Sequence, residues 1–193
     1  MPPLVQPAEY LAAERKAAEK SEYINGRVYA MAGASRVHNL IALNTASELR
    51  TQLRGRPCET YASDMRVKVE RTGMYTYPDV VGLCEEPRFE DAEVDTLLNP
   101  TVIIEVLSPS TERDDRGEKF AHYRRLESLR EYILIAQDIR RTEHYRREGD
   151  SWVLTEVSGP DATLVIASLS CTLRLSDIYD RVEFPAPGAA SHA

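Results

Sequence analysis

The sequence predicts an α/β fold in which a mixed β-sheet is flanked by helices, with extra antiparallel strands towards the C-terminus. Residues 76–83 and 101–107 are nearly continuous apolar runs, which are typical of central strands covered on both faces. A strand, a helix and a second strand follow in close succession over residues 101–136, which predicts a βαβ crossover. The Asn25-Gly26 dipeptide between β-forming residues predicts an antiparallel hairpin. Parallel and antiparallel strand pairs are therefore expected in one fold.

The N-terminal part is predicted to place one helix on each side of this hairpin. An Ala-, Glu- and Lys-rich segment predicts a surface helix over residues 8–20. The hairpin strands are residues 22–24 and 27–29. Ser35 can cap a second helix that runs to about Arg54, where a Gly and a Pro follow. This second helix is apolar on more than one side, which predicts that it packs between two other layers.

Further elements follow from apolar runs and turn signals. The other predicted strands are residues 58–62, 64–70, 131–136, 141–147, 151–157 and 163–166. The last three of them are expected to form an antiparallel meander. Ser110 or Thr111 can cap a helix from about Glu112 to Leu126. The acidic residues 85–99 lack periodicity and predict an exposed loop with room for one helical turn.

Length and composition limit the number of domains and the kind of partner. The length predicts one domain over residues 1–184, with residues 185–193 as a disordered C-terminal tail. Hydrophobic residues make up 42% of the chain, which is enough for a sizeable core. The net charge of −7 argues against tight, non-specific binding to long stretches of duplex nucleic acid. It still permits a local basic patch or a phosphate bridged by a metal ion.

The cysteines and the N-terminus predict an ordinary reduced compartment. Cys58, Cys84 and Cys171 are widely spaced, odd in number and form no CxxC pair, so we expect packed thiols and no disulfide or zinc site. The first residues lack a basic region followed by an apolar stretch. No segment approaches the roughly 18 apolar residues that a membrane span requires. The expected location is the cytoplasm, without a membrane partner.

Two carboxylates lie where strand patterning predicts apolar residues. Glu105 shares one face of its strand with Ile103 and Leu107, and it is expected to be buried. Asp79 lies in the other apolar run, directly after Pro78, which marks a strand start or an irregularity. A buried carboxylate is unfavourable unless a cation lies nearby or its pKa is raised. Two such carboxylates on neighbouring strands are suited to Mg²⁺ or Mn²⁺, which prefer oxygen ligands.

A lysine can reach the same place from the following helix. The rise of the predicted strand and helix brings Lys119 close to Glu105. Arg116, Lys119 and Tyr123 share one helical face. Two interpretations stay open: a metal site with an associated lysine, and a buried Glu105–Lys119 ion pair without catalysis. Tyr123 is expected to pack in the core.

Several segments, in order along the chain, carry a resemblance to a known family. These segments are residues 20–26, 32–35, 63–67, 77–81, 99–108, 115–120 and 128–132. They resemble the Uma-type restriction endonuclease family of the PD-(D/E)XK nuclease superfamily. The similarity extends over nearly the whole chain, and it implies a restriction-endonuclease-like mixed β-sheet.

The resemblance implies roles for the residues already singled out. In the superfamily pattern, Asp79 and Glu105 match the two metal-binding acids, and the backbone carbonyl of Val106 is an implied further ligand. The lysine of the pattern is replaced by Leu107 in this chain. In related branches the lysine comes from the following helix, and Lys119 is the implied substitute.

Five more residues are candidates on the same grounds. An acid from the first core element often completes such sites, and Glu22 and Glu48 both qualify. His38 could act as an acid-base group or phosphate contact, or it could simply bond to a neighbouring group. Ser108 and Arg116 are predicted DNA contacts, although Ser108 could instead form the turn before the helix.

The predicted function is metal-dependent hydrolysis of DNA phosphodiester bonds with Mg²⁺ or Mn²⁺ as cofactor. The resemblance and the two strands of duplex DNA together favour a homodimer. The main alternative is a catalytically inactive nuclease-fold module for DNA binding or assembly, which Leu107 and the acidic net charge favour. A glycosidase with paired carboxylates is disfavoured, because one Trp and three Phe offer little aromatic lining for a sugar cleft.

Overall fold

The computed structural model describes residues 4–184 and contains two larger sheets and one small hairpin. The strands are β1 (Ser21–Ile24), β2 (Arg27–Ala30), β3 (Glu59–Ala62), β4 (Arg66–Val69), β5 (Met74–Thr76), β6 (Val80–Leu83), β7 (Thr96–Leu97), β8 (Val102–Val106), β9 (Glu131–Ile135), β10 (Arg141–Glu148), β11 (Ser151–Ser158), β12 (Thr163–Ile166) and β13 (Cys171–Arg174). The helices are α1 (Pro7–Glu14), α2 (Arg36–Leu53), α3 (Glu112–Asp114), α4 (Phe120–Tyr123) and α5 (Leu175–Ile178), with a π-helical turn (Asp115–Lys119) between α3 and α4 and a 3₁₀ turn (Ala167–Leu169).

The sheets mix parallel and antiparallel pairs as predicted. The five-stranded sheet has the order β2-β1-β5-β4-β7, and the six-stranded sheet has the order β11-β10-β9-β8-β6-β3. Strands β8 and β9 are parallel and are joined through α3, the π turn and α4, which confirms the βαβ crossover. The hairpin β1–β2 is confirmed too, and both turn residues have positive φ, 51° at Asn25 and 80° at Gly26.

Two apolar cores lie on the two faces of the six-stranded sheet. One core is shared with the five-stranded sheet and α4, and it includes Val67, Ile103 and Tyr123. The other core lies under α2, the β12–β13 hairpin and α5, and it includes Ile41 and Leu49 of α2. The α2 helix therefore packs between strands and a second helix, as its apolar pattern predicts.

Helix α1 is shorter than the predicted segment 8–20 because its last residue is used in tertiary contacts. The helix ends at Glu14, which is 7% exposed. The Glu14 carboxylate accepts hydrogen bonds from the backbone N–H and the hydroxyl of Ser21 and from the hydroxyl of Tyr77. The chain turns after α1 so that Ser21 can begin β1 beside this carboxylate.

The predicted strand 76–83 is divided between the two sheets. Strand β5 ends at Thr76 in the five-stranded sheet, and β6 begins at Val80 in the six-stranded sheet. Pro78 lies between them and has no N–H to donate to a ladder, so the strand cannot continue through it. Asp79 is thus placed at the point where the chain passes from one sheet to the other.

Two expectations about irregular and C-terminal segments are wrong. Segment 85–99 lies within the described part of the chain and contains β7, not a helical turn. Strand β7 pairs in parallel with β4. Arg66 of β4 also donates a hydrogen bond to the Thr96 hydroxyl of β7 at 2.8 Å. Strand β12 does not extend the β10–β11 meander but pairs with β13. Its buried Leu164 and Ile166 cover a face of the six-stranded sheet instead of its edge.

The prediction of three reduced thiols is wrong for two of the cysteines. Cys58 and Cys84 form a disulfide, whereas Cys171 is a buried free thiol. In the antiparallel β3–β6 pair, Glu59 is opposite Leu83. Cys58 and Cys84 are the next opposed pair, with Cα atoms 3.9 Å apart. Sequence spacing cannot reveal this contact, because strand register brings it about.

We expect the Cys58→Ser/Cys84→Ser double variant to lose about 3 kcal/mol of unfolding free energy. The disulfide closes a loop with a sequence separation of 26, and its removal gives the unfolded chain more conformations. Urea unfolding of the oxidised protein, the protein in dithiothreitol and the double variant measures this loss. Cys171→Ser serves as the control for a thiol outside the disulfide. Identical midpoints for oxidised and reduced protein would contradict the expectation.

A buried glutamate at the start of β9 bonds to β10 and to the turn between β12 and β13. Glu131 is 1% exposed, and its carboxylate is 2.5 Å from Nε2 of His144. The same carboxylate accepts a hydrogen bond from the backbone N–H of Ser168 at 2.6 Å. Burial opposes ionisation of Glu131, but the hydrogen bonds from His144 and Ser168 outweigh burial and lower its pKa.

Glu131→Gln should therefore weaken the pH dependence of the free energy of unfolding in acid. A lowered folded-state pKa contributes stability above the unfolded value of about 4.3, and this contribution is lost as pH falls through the folded pKa. The variant should be less stable than wild type by about 1–3 kcal/mol at neutral pH, with a smaller difference in acid. Urea unfolding between about pH 3 and pH 7 tests this. Parallel stability profiles for the two proteins would show that Glu131 does not titrate differently on folding.

Within residues 4–184, no helix combines the length and the apolar character that a bilayer crossing requires. The cytoplasmic location stays a prediction. The single domain over residues 1–184 stays a prediction as well. The expected tail, residues 185–193, lies outside the described residues.

Candidate active site

Asp79 and Glu105 meet where the chain passes between the two sheets. Register pairs Val80 of β6 with Ile104 of β8, so Asp79 comes next to Glu105. The Asp79 backbone N–H donates to Glu105 Oε2 at 3.3 Å, and the Val106 N–H donates to Asp79 Oδ2 at 2.7 Å. Glu105 is 4% exposed, and the Asp79 side chain is 16% exposed. The two carboxylates that the sequence singles out therefore lie side by side, one buried and one at the rim.

Lys119 reaches this place from the π-helical turn. Its Nζ lies 3.0 Å from Glu22 Oε1, 3.3 Å from Asp115 Oδ1 and 3.7 Å from Glu105 Oε1. Asp115 and Lys119 are the first and last residues of the turn, and both side chains are buried. The predicted approach of Lys119 to Glu105 is therefore found, within a larger ring of carboxylates.

The structure distinguishes between the two candidate acids from the first elements. Glu22 lies on β1, is 9% exposed and contacts Lys119. Its Oε1 also accepts a hydrogen bond from the Thr76 hydroxyl at 2.7 Å. Glu48 lies on α2 and lines an open groove beside α5 with Asp177. Glu22 is therefore the acid that belongs to the cluster.

Tyr123 contributes a hydroxyl to the cluster as well as a ring to the core. The Tyr123 hydroxyl donates to Glu105 Oε1 at 2.9 Å and lies 2.9 Å from the Thr76 hydroxyl. The side chains of Tyr123 and Thr76 are both fully buried. Tyr123 therefore does more than pack in the core as predicted, because its hydroxyl lies between Glu105 and the Thr76–Glu22 pair.

His38 lies at the rim, on the first turn of α2. Its Nε2 is 3.1 Å from Asp79 Oδ2, and its side chain is 15% exposed. The Ser35 hydroxyl caps α2 by accepting from the His38 N–H and donates to Gln137 Oε1. Gln137 in turn donates to the Leu107 carbonyl at the end of β8. These bonds tie the start of α2 to the ends of β8 and β9, which holds the imidazole against Asp79.

The cluster contains more acidic than basic groups. Burial raises the pKa of Glu105 well above its usual value, Lys119 counteracts this, and the neighbouring carboxylates add to it. Burial alone would lower the pKa of Lys119, but the surrounding carboxylates, Glu105 first, outweigh burial and raise it. Lys119 is therefore an ammonium at neutral pH. One ammonium lies among four carboxyl groups, those of Asp79, Glu105, Glu22 and Asp115.

The donor set fits a hard divalent cation. Among residues 4–184, no three His, Cys, Asp or Glu side chains already converge as metal ligands. Asp79 and Glu105 supply two carboxylates, and a third oxygen can come from the Val106 carbonyl. That carbonyl points to the same edge of β8 as the Val106 N–H, which donates to Asp79. Carboxylate and carbonyl oxygens are the donors that Mg²⁺ and Mn²⁺ prefer.

The two predicted DNA contacts are engaged in other bonds. The Arg116 guanidinium is paired with Glu143 at 2.6 Å and with Glu112. The Ser108 hydroxyl lies 3.0 Å from the Ser110 hydroxyl and accepts a hydrogen bond from the backbone N–H of Thr111. Ser108 thus stabilises the turn before α3, which was the alternative interpretation. Both DNA contacts stay predictions.

Sequence reasoning missed Asp115, Gln137 and Thr76 as members of the site. Asp115 has a signal in its spacing of four residues from Lys119, which places the two on one helical face. Thr76 is a polar residue at the start of an apolar run, but nothing in the run indicates a partner. Gln137 follows β9, and its hydrogen bonds form only because the ends of β8 and β9 meet the start of α2. Nothing in the sequence indicates that Gln137 connects these elements.

Comparison with known proteins identifies the family. The Uma2 family, described as "Putative restriction endonuclease", matches residues 7–176. The chain belongs to the Uma2 family. The Uma2 match includes Asp79, Glu105 and Lys119, and with them every residue of the cluster described above.

Two relatives of this Uma2 chain are proteins of Synechocystis sp. (strain ATCC 27184 / PCC 6803 / Kazusa). The uncharacterized protein sll1609 is 42% identical over 158 residues, which cover 81% of this chain and 89% of the relative. The uncharacterized protein slr1290 is 33% identical over 183 residues, which cover 94% and 95%. Neither name describes an activity, so these relatives give no information about the reaction.

A solved structure resembles this Uma2 chain in fold. It is the crystal structure of a putative nuclease belonging to DUF820 from Anabaena variabilis ATCC 29413, with a TM-score of 0.74 and 19% sequence identity. The match covers 93% of this chain and 99% of that one. The fold is therefore restriction-endonuclease-like, as predicted. Family and fold together indicate a restriction-endonuclease-like nuclease, with nucleic acid as the class of substrate.

Proposed function

We propose that this protein is a Mg²⁺- or Mn²⁺-dependent endonuclease that hydrolyses DNA phosphodiester bonds at the cluster around Glu105. The observation that carries the proposal is the position of Lys119, which lies 3.7 Å from Glu105 while Glu105 lies beside Asp79. A purely structural ion pair needs one acid and one base, whereas this cluster has a surplus of carboxylates. Several buried carboxylates can stay ionised together only if a cation offsets their charge, and a bound divalent ion would do so.

We assign each residue of the cluster a role from its position. Asp79, Glu105 and the Val106 carbonyl would hold the ion, with Glu22 as a further acid nearby. When bound, the ion would polarise the phosphodiester and lower the pKa of the attacking water. Lys119 supplies a fixed positive charge where negative charge develops during hydrolysis. Asp115 and Glu22 orient that ammonium from its other sides.

His38 is the second candidate for contact with the reacting phosphate. Its Nε2 lies 3.1 Å from Asp79 and at the exposed side of the cluster. There its imidazole can donate to a phosphate oxygen or exchange a proton with water. The bonds of Ser35 and Gln137 keep the imidazole in this position without blocking it.

DNA recognition is proposed to be local. With a net charge of −7, the chain as a whole repels a phosphate backbone, so attraction must come from the bound ion and a few basic side chains. Arg116 is one such side chain, although it would have to exchange a bond to Glu143 for one to phosphate. Ser108 is a weaker candidate, since its hydroxyl already stabilises a turn.

We also propose a homodimer, because residues 4–184 of one chain hold one such cluster and duplex DNA has two strands to cut. Two-fold symmetry would place two identical clusters on the two antiparallel strands. Sedimentation equilibrium of the purified protein, with and without duplex DNA, tests this. A monomer under both conditions would contradict it.

A catalytically inactive nuclease-fold module is the second candidate. The observation that favours it is that Leu107 occupies the usual lysine position and is 5% exposed in the core. Lys119 is also already surrounded by three carboxylates. An inactive module without a metal site would show no rise in thermal stability with Mg²⁺ or Mn²⁺, whereas binding of either ion would raise it.

The deciding experiment is cleavage of supercoiled plasmid and single-stranded DNA by the purified protein with Mg²⁺, Mn²⁺ or EDTA. Glu105→Ala is the test variant, and Glu48→Ala removes an acid from α2 outside the cluster as the matched control. We expect cleavage that needs the ion, is lost in Glu105→Ala and persists in Glu48→Ala. Absence of cleavage together with absence of a thermal shift would favour the inactive module. Cleavage that persists in Glu105→Ala would exclude this cluster as the active site.

A further inference from the structure

We infer that Tyr123 is a positioning residue for Glu105, and that its hydroxyl fixes which carboxylate oxygen is presented to the metal ion. This inference rests on the proposed function and goes beyond it, since it assigns a role to a side chain that does not itself bind metal or substrate. It is drawn from the hydrogen bonds around Glu105.

The two oxygens of Glu105 have different surroundings. Oε1 accepts the hydrogen bond from Tyr123 at 2.9 Å and lies 3.7 Å from Nζ of Lys119. Oε2 faces Asp79, whose backbone N–H is 3.3 Å away. The terminal torsion of a glutamate is broad, so the carboxylate can rotate unless donors hold it. Tyr123 holds Oε1 and thereby leaves Oε2 on the side of Asp79, where the ion would be shared.

The Tyr123 hydroxyl has a second polar neighbour besides Glu105. It lies 2.9 Å from the Thr76 hydroxyl, and Thr76 donates to Glu22 at 2.7 Å. The ring is fully buried and packs against Tyr132, with ring centroids 5.3 Å apart. Each hydroxyl has one proton, so Tyr123 gives its proton to Glu105 and Thr76 gives its proton to Glu22, and the two hydroxyl oxygens lie in contact beside Lys119. A hydroxyl held in this way has little freedom to leave Glu105.

Tyr123→Phe removes the oxygen and keeps the ring. Loss of a hydrogen bond to a ligating carboxylate typically costs about 10- to 100-fold in metal affinity. We therefore expect the Kd for Mn²⁺ to rise at least about tenfold in Tyr123→Phe. A role in packing alone would lower stability without changing the Kd, so metal affinity separates the two roles.

Tyr179→Phe is the matched control. Tyr179 is 1% exposed, and its hydroxyl lies 2.8 Å from the Ala136 carbonyl oxygen and 2.9 Å from that of Arg141, away from the cluster. This variant loses buried hydrogen bonds at a site with no carboxylate ligand. Mn²⁺ binding to the full chain is measured by calorimetry and by the loss of the free-ion electron paramagnetic resonance signal. We expect Tyr179→Phe to bind Mn²⁺ as wild type does.

The outcomes separate this inference from the proposed function. An unchanged Kd in folded Tyr123→Phe, with clear binding by wild type, would overturn the positioning role and leave the nuclease proposal intact. Absence of Mn²⁺ binding by wild type would overturn both. If Tyr123→Phe does not fold, Thr76→Val is the second variant, because it removes the oxygen that lies 2.9 Å from the Tyr123 hydroxyl. A severalfold weaker Mn²⁺ affinity in Thr76→Val supports the inference, and wild-type affinity overturns it.

Discussion

Asp79→Asn is expected to reduce metal-dependent DNA cleavage by about 10²-fold or more. Asparagine keeps an oxygen that can accept the hydrogen bond from the Val106 N–H, so the strands around it should be preserved. It removes the negative charge that would bind the cation. It also changes the group that lies 3.1 Å from Nε2 of His38. Single-turnover cleavage of plasmid DNA, with Mn²⁺ binding measured in parallel, tests both effects.

Glu48→Gln is the control for the Asp79 experiment, because it removes the same charge from α2 without touching the cluster. Thermal unfolding of both variants shows whether the fold is retained. A folded Asp79→Asn variant that cleaves at the wild-type rate would exclude Asp79 as a ligand. Equal losses in both variants would point to net charge and not to the cluster.

Lys119→Met is expected to lower the free energy of unfolding by about 3–5 kcal/mol, because it leaves buried carboxylates without their cation. Methionine has a similar length and is apolar, so loss of charge and not loss of volume dominates. The raised pKa of Lys119 contributes stability at all pH values below the unfolded value of about 10.4, and this is lost only as pH rises through the folded pKa. The deficit should therefore persist across the neutral range. Urea unfolding measures it.

Lys68→Met is the matched control for a lysine nearer to solvent. Lys68 pairs with Glu90, and their side chains are 20% and 19% exposed. Loss of this more solvated pair should cost about 1 kcal/mol or less. If Lys119→Met and Lys68→Met lose similar amounts of stability, Lys119 does not compensate the buried charge in the way proposed here.

The central acids of the candidate site can be predicted from sequence because they violate a local pattern. A glutamate among β-branched residues and an aspartate after a proline in an apolar run are conspicuous without any tertiary information. Lys119 can be added from the length of one strand and one helix. The family resemblance agrees with these positions, and the structure brings all three side chains together.

The remaining members of the site depend on contacts between distant elements. Glu22 and Glu48 are equivalent by composition, and only the packing of β1 against the π turn distinguishes them. Thr76 and Tyr123 meet because the chain changes sheets after β5, which places a strand end beside a helix. The disulfide likewise follows from the register of β3 and β6. None of these contacts has a local signal in the sequence.

Predictions about the fold are confirmed where a few neighbouring residues determine the local structure. They are wrong where one strand can pack in two different places. The Asn25-Gly26 hairpin and the Ser35 cap depend on a few neighbouring residues, and both are confirmed. Strand β12 has the alternation of an outer meander strand. Its apolar residues are buried instead against the core under α2, because covering a sheet face removes more apolar surface from water than extending an edge.

The π-helical turn makes the number of residues in this helix as important as their identity. An α-helix rotates by about 100° per residue, and a π turn accommodates one residue more than an α turn does. The π turn ends at Lys119, so the extra residue sets the direction in which Tyr123, four residues later, faces relative to the ammonium. One residue fewer between Thr111 and Tyr123 would rotate either the ammonium or the phenol out of the cluster. Chain length in this short segment is thus a chemical property of the site, because a deletion that keeps every side chain of the cluster could still abolish the site.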